Sequence, residues 1–274
     1  MRTGTRIQTS SALLNRGRAG FTLIELLAVV AIVTIVVGLL TAALNQTRYR
    51  TLRVTCLDNM KQLQLAWTMY ADDHSDYVAL NKTTPPNASS NIGIASAPTS
   101  TTNSWVSGNP KVDRTDDNIA KGTLYPYVKS TAVYRCPMDN SMTKLGTPRT
   151  RSYSLNAYLG GDDEDLEPRV KMKLGELVNP GPERVFVFIE EHEESVWGGG
   201  FVVLPREQFS LNAGAWSSTP TDRHMQGCNL TFADNHLEYW RWLAPKKANM
   251  NNILITSPKD LRDLRRLQES IPKR

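Results

Sequence analysis

The sequence predicts an α+β fold: a long N-terminal helix, its first half membrane-spanning and its second amphipathic, packed on an antiparallel β-sheet domain. Three observations carry this. No proline occurs from Phe21 to Asn81, so nothing in that span breaks a helix. An uncharged apolar run fills its first half, and a one-sided apolar stripe follows. Short runs of β-branched and aromatic residues, bounded by turn residues, occupy the last third of the chain.

The N-terminal run is the most informative segment. From Leu26 to Leu44 there are 19 residues without a charge. As a helix these rise about 28 Å, close to the roughly 30 Å hydrocarbon core of a bilayer. Thr34, Gly38 and Thr41 are its only non-aliphatic positions, and a membrane helix tolerates all three. A secretory signal places its small-residue cleavage site after the apolar region. Here the cleavage point the sequence offers, Gly20-Phe21, comes before it, so cutting leaves the apolar helix at the new N-terminus.

Beyond the membrane segment, Tyr49, Leu52, Cys56, Met60, Leu63, Trp67 and Tyr70 recur at helical spacing. The other face carries Arg50, Arg53, Asp58, Lys61, Gln62 and Gln64. One helix from about Thr22 to about Asp73 is therefore expected. Its stripe needs a sheet to cover it, because an apolar stripe of that length is unstable in water. The expected organisation is a basic leader over 1–20, the long helix over 21–75 with its membrane segment at about 22–44, a globular part over 76–256 and a charged tail over 257–274.

A polar stretch rich in Thr, Ser, Asn and Pro from Asn81 to Asn103 reads as a long loop. Gly122 to Asp139 reads as a short helix or turn leading into a brief strand. Val185 to Glu190 and Phe201 to Leu204 read as strands. Cys228 to Ala233 and His236 to Trp242 flank Asp234-Asn235, which predicts a hairpin with a two-residue turn. After Ser257, leucines 261, 264 and 267 fit a short surface helix or a frayed tail.

Charge sharpens the topology. The chain has 32 basic and 27 acidic residues, a net +5. Arg2, Arg6, Arg16 and Arg18 fall in the leader without an acid, leaving 28 basic and 27 acidic residues, close to neutrality. The excess therefore argues for a cytoplasmic leader and not for nucleic-acid binding. Everything past Leu44 is then expected outside the inner membrane, where disulfides persist. Cys56, Cys136 and Cys228 form no CxxC pair and no zinc-ligand spacing, which excludes a zinc ribbon. One disulfide with one thiol left over is compatible with them, Cys56–Cys136 being the expected pair. The alternative is that Cys56 is a buried small apolar residue.

The segment Gly20-Phe-Thr-Leu-Ile-Glu25, behind a basic leader and ahead of an apolar helix, resembles the prepilin-type N-terminus of type IV pilins and of type II secretion pseudopilins. That resemblance implies a membrane peptidase that cuts after Gly20 and methylates the new amine on Phe21. It implies that Glu25 pairs with the terminal ammonium of a neighbouring subunit and so sets filament register. It also implies as partners a prepilin peptidase, other pilin or pseudopilin subunits, an inner-membrane assembly platform and membrane lipid. Further segments, Cys56 to Tyr77, Tyr134 to Asp139, Ser152 to Gly161 and the His-x9-Asp motif from His224 to Asp234, resemble a group of long prepilin-like proteins. That group has Asp-Gly-His at the hairpin turn, whereas this chain has Asp234-Asn235-His236.

The polar constellation with chemistry to offer is His224, Asp234 and His236, with Glu190, Glu191 and His192 on another strand. Imidazole and carboxylate ligands suit a divalent metal. The expected reading is hydrogen bonding within the hairpin, because Asp at a turn commonly bonds backbone amides. The acidic run from Asp162 to Glu167 offers oxygen ligands for calcium but lacks the spacing of a dedicated calcium loop, so a solvated loop is expected. No cofactor and no enzymatic motif is read: there is no GxSxG, P-loop, HExxH or dinucleotide fingerprint. The expected function is structural, a pseudopilin or minor pilin. The alternative is a membrane-anchored periplasmic domain that binds metal, or carbohydrate through Trp105, Trp197, Trp216, Trp240 and Trp242.

Overall fold

The computed structural model describes residues 22–84, 99–101, 103–162, 168–196, 198–210, 213–247 and 254–274. The chain divides into two compact units, residues 1–49 and 50–274. Helix α1 runs from Leu23 to Asp73, within a residue of the expected span. It ends where Ser75 and Asp76 take positive φ, with the Asp76 amide donating to the Ala71 carbonyl.

In the second unit the predicted stripe is the seam of a core. Cys56, Met60, Leu63 and Trp67 are fully buried in one cluster with Tyr153, Leu155, Val187 and Phe188. Those four partners lie on strands β3 (Tyr153–Asn156) and β4 (Phe186–Glu190), so the stripe is covered by a sheet, as its apolarity requires. Gln64, assigned to the polar face by spacing, is buried: its amide donates to Asn235 Oδ1 at 3.1 Å.

The polar stretch expected as a loop contributes two short paired strands, β1 (Thr83–Thr84) and β2 (Thr99–Ser100). A one-turn helix, α2 (Tyr125–Val128), precedes a 3-10 turn at Thr131–Tyr134. Strands β5 (Gly200–Phe201), β6 (Gly227–Phe232) and β7 (Leu237–Arg241) complete a five-stranded sheet of order β5-β3-β4-β6-β7. The sheet is mixed and not purely antiparallel: β5 pairs parallel to β3, and the other neighbours are antiparallel. Periodicity cannot report strand direction, and β5 shrinks from the expected four residues to two.

Both faces of the sheet are covered, which is why β4 reads as the continuous apolar run Phe-Val-Phe-Ile and not as an alternation. On the second face Phe186, Ile189, Leu230 and Trp240 pack with Leu264, Leu267 and Ile271. Those last residues belong to helix α3 (Pro258–Gln268) and its exit, so the segment after Ser257 is part of the core and not a frayed tail. Lys246 secures it, bonding Asp260 at 2.5 Å and Asp263 at 2.7 Å between the rings of Trp216 and Trp242.

The β6–β7 hairpin forms where predicted but with a different turn. The Asn235 amide donates to Phe232 O, and the Phe232 amide to His236 O, which closes a three-residue loop. Asn235 sits at φ 72°, the left-handed position such a loop requires. Its side chain also reaches α1, accepting from Thr68 Oγ1 at 2.7 Å. A glycine there would give the same turn without that tie.

Candidate functional site

Two regions have functional chemistry, one in each unit. In the first, Gly20 and Phe21 lie outside the described residues. Glu25 is described, and it closes the start of α1. Its Oε2 accepts the Thr22 amide and the Thr22 hydroxyl, both at 2.8 Å, while Thr22 Oγ1 accepts the Glu25 amide at 3.4 Å. Thr22-x-x-Glu25 is thus a reciprocal capping box that satisfies helix-end amides. The signal for this cap in the sequence is Thr-x-x-Glu ahead of an apolar run. Leu23–Thr41 follows as a 19-residue span of mean hydropathy 2.9, long and apolar enough to cross a membrane. Its two hydroxyls are satisfied internally: Thr34 donates to Ala31 O and Thr41 to Gly38 O, both at 2.9 Å. That is how a hydroxyl is carried without cost in an apolar medium.

In the second unit, four distant segments deliver chemically active side chains to one buried point. Helix α1 supplies Cys56. The loop after the Thr131–Tyr134 turn supplies Cys136, the end of β4 supplies Glu190, and the turn before β6 supplies His224. Their ligating atoms all lie within 4.8 Å of one another, and all four residues are buried. His224 Nε2 is 2.8 Å from Glu190 Oε1 and 3.4 Å from Cys136 Sγ. Cys56 Sγ donates to the same Glu190 Oε1 at 2.9 Å.

A frame of hydrogen bonds holds these groups. The Asn229 amide donates to Glu190 Oε2 at 2.8 Å, and its side-chain nitrogen to Cys56 Sγ at 3.4 Å. The Met138 amide donates to Cys136 Sγ at 3.4 Å, and the Tyr153 hydroxyl lies 3.3 Å from Cys56 Sγ. Arg223 bridges Asp139 and Glu193 alongside, at 3.4 and 3.1 Å. His224 Nδ1 and Asn229 Oδ1 are buried without a hydrogen-bond partner.

The charges follow from this packing. Burial pulls the His224 imidazole down, but its bonds to Cys136 and Glu190 and the Glu190 charge outweigh that, raising it to about 9. Burial pushes Glu190 up, and the bond to His224, that imidazolium and Arg223 hold it below its usual value. The pair is therefore ionised, a buried ion pair. The thiols split: burial and the neighbouring Cys136 sulfur push Cys56 well up, while the contact with Cys56 holds Cys136 low.

All three cysteines are free thiols, so the expected Cys56–Cys136 disulfide is absent. The pairing still located a real neighbourhood, because both sulfurs belong to the cluster. The three residues read as one constellation are divided. His224 joins Glu190 and the cysteines, whereas His236 bonds Asp234 at 2.5 Å and stacks on Phe232 at the exposed hairpin. Asp234 Oδ1 also accepts the His236 amide at 3.2 Å, the turn role expected of it. Glu191 turns aside to accept Ser154 and Ser195, and burial raises it to about 7. His192 Nδ1 accepts the Glu194 amide. Of the acidic run, Asp162 is exposed and residues 163–167 lie outside the described residues.

Four of the five tryptophans offered for sugar stacking, Trp105, Trp216, Trp240 and Trp242, are core residues at most 3 % exposed, and Trp197 lies outside the described residues. Sequence reasoning missed the Cys56–Cys136–Glu190–His224 assembly because its members are 34 to 168 residues apart. Local spacing had no access to it.

Residues 15–41 match the prokaryotic N-terminal methylation motif. No curated protein and no solved structure matches the chain. The chain thus has a prepilin-type N-terminal methylation motif leading into a helix long and apolar enough to cross a membrane.

Proposed function

We propose that this chain is a pseudopilin or minor pilin, a subunit of a type II secretion or type IV pilus-like filament. The observation that carries this is the match to the methylation motif over residues 15–41, laid on a helix start whose apolar side chains are exposed among the described residues. A prepilin peptidase cuts after Gly20, the four leader arginines stay behind, and the domain after the membrane helix stands on the periplasmic side. An assembly platform then lifts the subunit out of the bilayer into contact with other subunits. Lipid around Leu23–Thr41 is replaced by the helices of neighbouring subunits, so the apolar surface stays dry throughout.

Glu25 is the polar element of this exchange. A carboxylate at the edge of a membrane helix costs a few kcal/mol unless it is partnered. Thr22 partners Oε2, and Oε1 has no partner among the described residues. That oxygen is the one to accept the methylated terminal ammonium of a neighbouring subunit. The carboxylate then caps its own helix and sets register against the next.

Intact-mass measurement of the protein from its native host tests the reading. The expected species begins at Phe21 and carries one methyl group on its amine. A species beginning at Met1, or cut after Ala28 or later, overturns it.

A further inference from the structure

The Cys56–Cys136–Glu190–His224 cluster is built as a metal site, and we propose that it binds one zinc ion through both sulfurs, His224 Nε2 and Glu190 Oε1. Two thiolates, an imidazole and a carboxylate are a zinc donor set, and four protein ligands leave no open position, so the site is structural and not catalytic. The inference does not depend on the filament reading, since every ligand lies in the unit spanning residues 50–274.

Geometry supports it first. A tetrahedron with zinc–sulfur bonds of about 2.3 Å and zinc–nitrogen or zinc–oxygen bonds of about 2.1 Å has edges of about 3.4–3.8 Å. The observed separations include 2.8, 2.9 and 3.4 Å, and all fall within 4.8 Å. The three contacting pairs stand inside a zinc shell and reach it by opening roughly half an ångström, and no pair of donors is farther apart than 4.8 Å.

Without metal, the same atoms serve two partners each. Glu190 Oε1 takes both the Cys56 thiol and the His224 ring, and His224 Nε2 faces both Glu190 and Cys136 with one proton to give. A dication at the common point replaces the imidazolium proton on Nε2 and both thiol protons, and it bonds all four ligating atoms at once.

The surrounding frame fits thiolates. Each sulfur accepts an N–H, from Met138 for Cys136 and from Asn229 for Cys56, and such bonds favour the ionised form of an acceptor. The Asn229 amide fixes the second oxygen of Glu190, which orients the first toward the cluster. Cys136 lies in the wall of a cleft of about 750 Å³ with Thr55, Asn59, Arg135 and Asp139, and its own side chain is buried there.

The site also has a structural purpose. It joins α1, the Cys136 loop, β4 and the turn before β6, segments brought together only by folding. An ion that binds the folded state alone stabilises it by mass action.

The test uses the full-length chain purified in detergent from cells supplied with zinc, with bound metal counted by elemental mass spectrometry. We expect one zinc per chain, retained by Cys228→Ser, whose thiol is buried in the other core cluster. Cys56→Ser and His224→Gln should each lose it, and Asn229→Ala should weaken affinity roughly 10- to 100-fold while keeping one ion per chain. Because a ligand variant can simply fail to fold, two further measurements use the unaltered chain. Cobalt(II) in place of zinc should give the intense visible absorption of a tetrahedral thiolate site. Chelator should lower the melting temperature by several degrees and speed alkylation of Cys56 and Cys136 about tenfold. The proposal is overturned by a folded chain without stoichiometric metal, by cobalt binding that lacks a thiolate band, or by recovery of a Cys56–Cys136 disulfide from protein made in an oxidising compartment.

Discussion

Between Leu23 and Leu40 the large apolar side chains of α1 are 47–78 % exposed, whereas Cys56, Met60, Leu63 and Trp67 on the same helix are fully buried. The two stretches differ in pattern more than in content. The first is apolar all round, which no single packing partner can cover, so its environment must surround it: lipid, or other helices. The second is apolar on one stripe, which one sheet face covers. A helix therefore states in its periodicity whether its partner lies inside or outside its own chain. Here the change comes near Tyr49, at the boundary between the two units.

The contrast breaks or holds on substitution. Trp67→Ala should cost about 3–5 kcal/mol of stability, because a fully buried indole leaves a cavity that the sheet cannot fill. Denaturant unfolding of the full chain in detergent measures it, with Leu39→Ala as the counterpart that should leave the midpoint unchanged. Equal losses from both would show that the exposed half also has a partner within the chain.

Val36→Arg addresses the other half. An arginine near the centre of the apolar span should cost about 2.5–3.5 kcal/mol of membrane insertion while sparing the melting of the second unit. Flotation against lipid vesicles reads the first and differential scanning fluorimetry the second. Undiminished flotation would place the membrane contact elsewhere.

Glu25→Gln keeps shape and removes charge. Leader cleavage should persist, recovery in sheared filaments should fall several-fold, and the helix cap should weaken by less than about 1 kcal/mol, since glutamine also closes a capping box. Equal recovery of mutant and parent would end the register role of Glu25.

The smallest effects come from the hairpin. Asn235→Gly should cost at most about 1 kcal/mol: it loses bonds to Thr68 and Gln64 of α1, and glycine's ease at φ 72° offsets part of that. Asp234→Ala should cost about 0.5–1 kcal/mol through its bond to the His236 amide. Thermal melts of the two variants resolve them. A larger loss from Asp234→Ala than from Asn235→Gly would mean that the turn, and not the tie to α1, governs this end of the sheet.

Much of the fold was legible because it is local. The span of α1, its buried stripe, strand β4 and the position of the β6–β7 hairpin all follow from periods of 3.6 and 2 or from turn residues, and each stands where those patterns put it. The errors share one cause. The parallel pairing of β5, the burial of Gln64 and the docking of α3 on the second sheet face depend on what a segment meets, and no local period records that.

The candidate sites divide in the same way. Sequence alone determined the methylation motif over residues 15–41 and the apolar span, since both lie within one stretch of leader and helix. Only the tertiary structure separated His224 from Asp234 and His236, left Cys56 and Cys136 as thiols, and set both beside Glu190. The physical reason is loop closure. Cys56 and Glu190 are 134 residues apart, and their sulfur and oxygen meet at 2.9 Å only because burial of the α1 stripe against β3 and β4 fixes where every connecting loop must end.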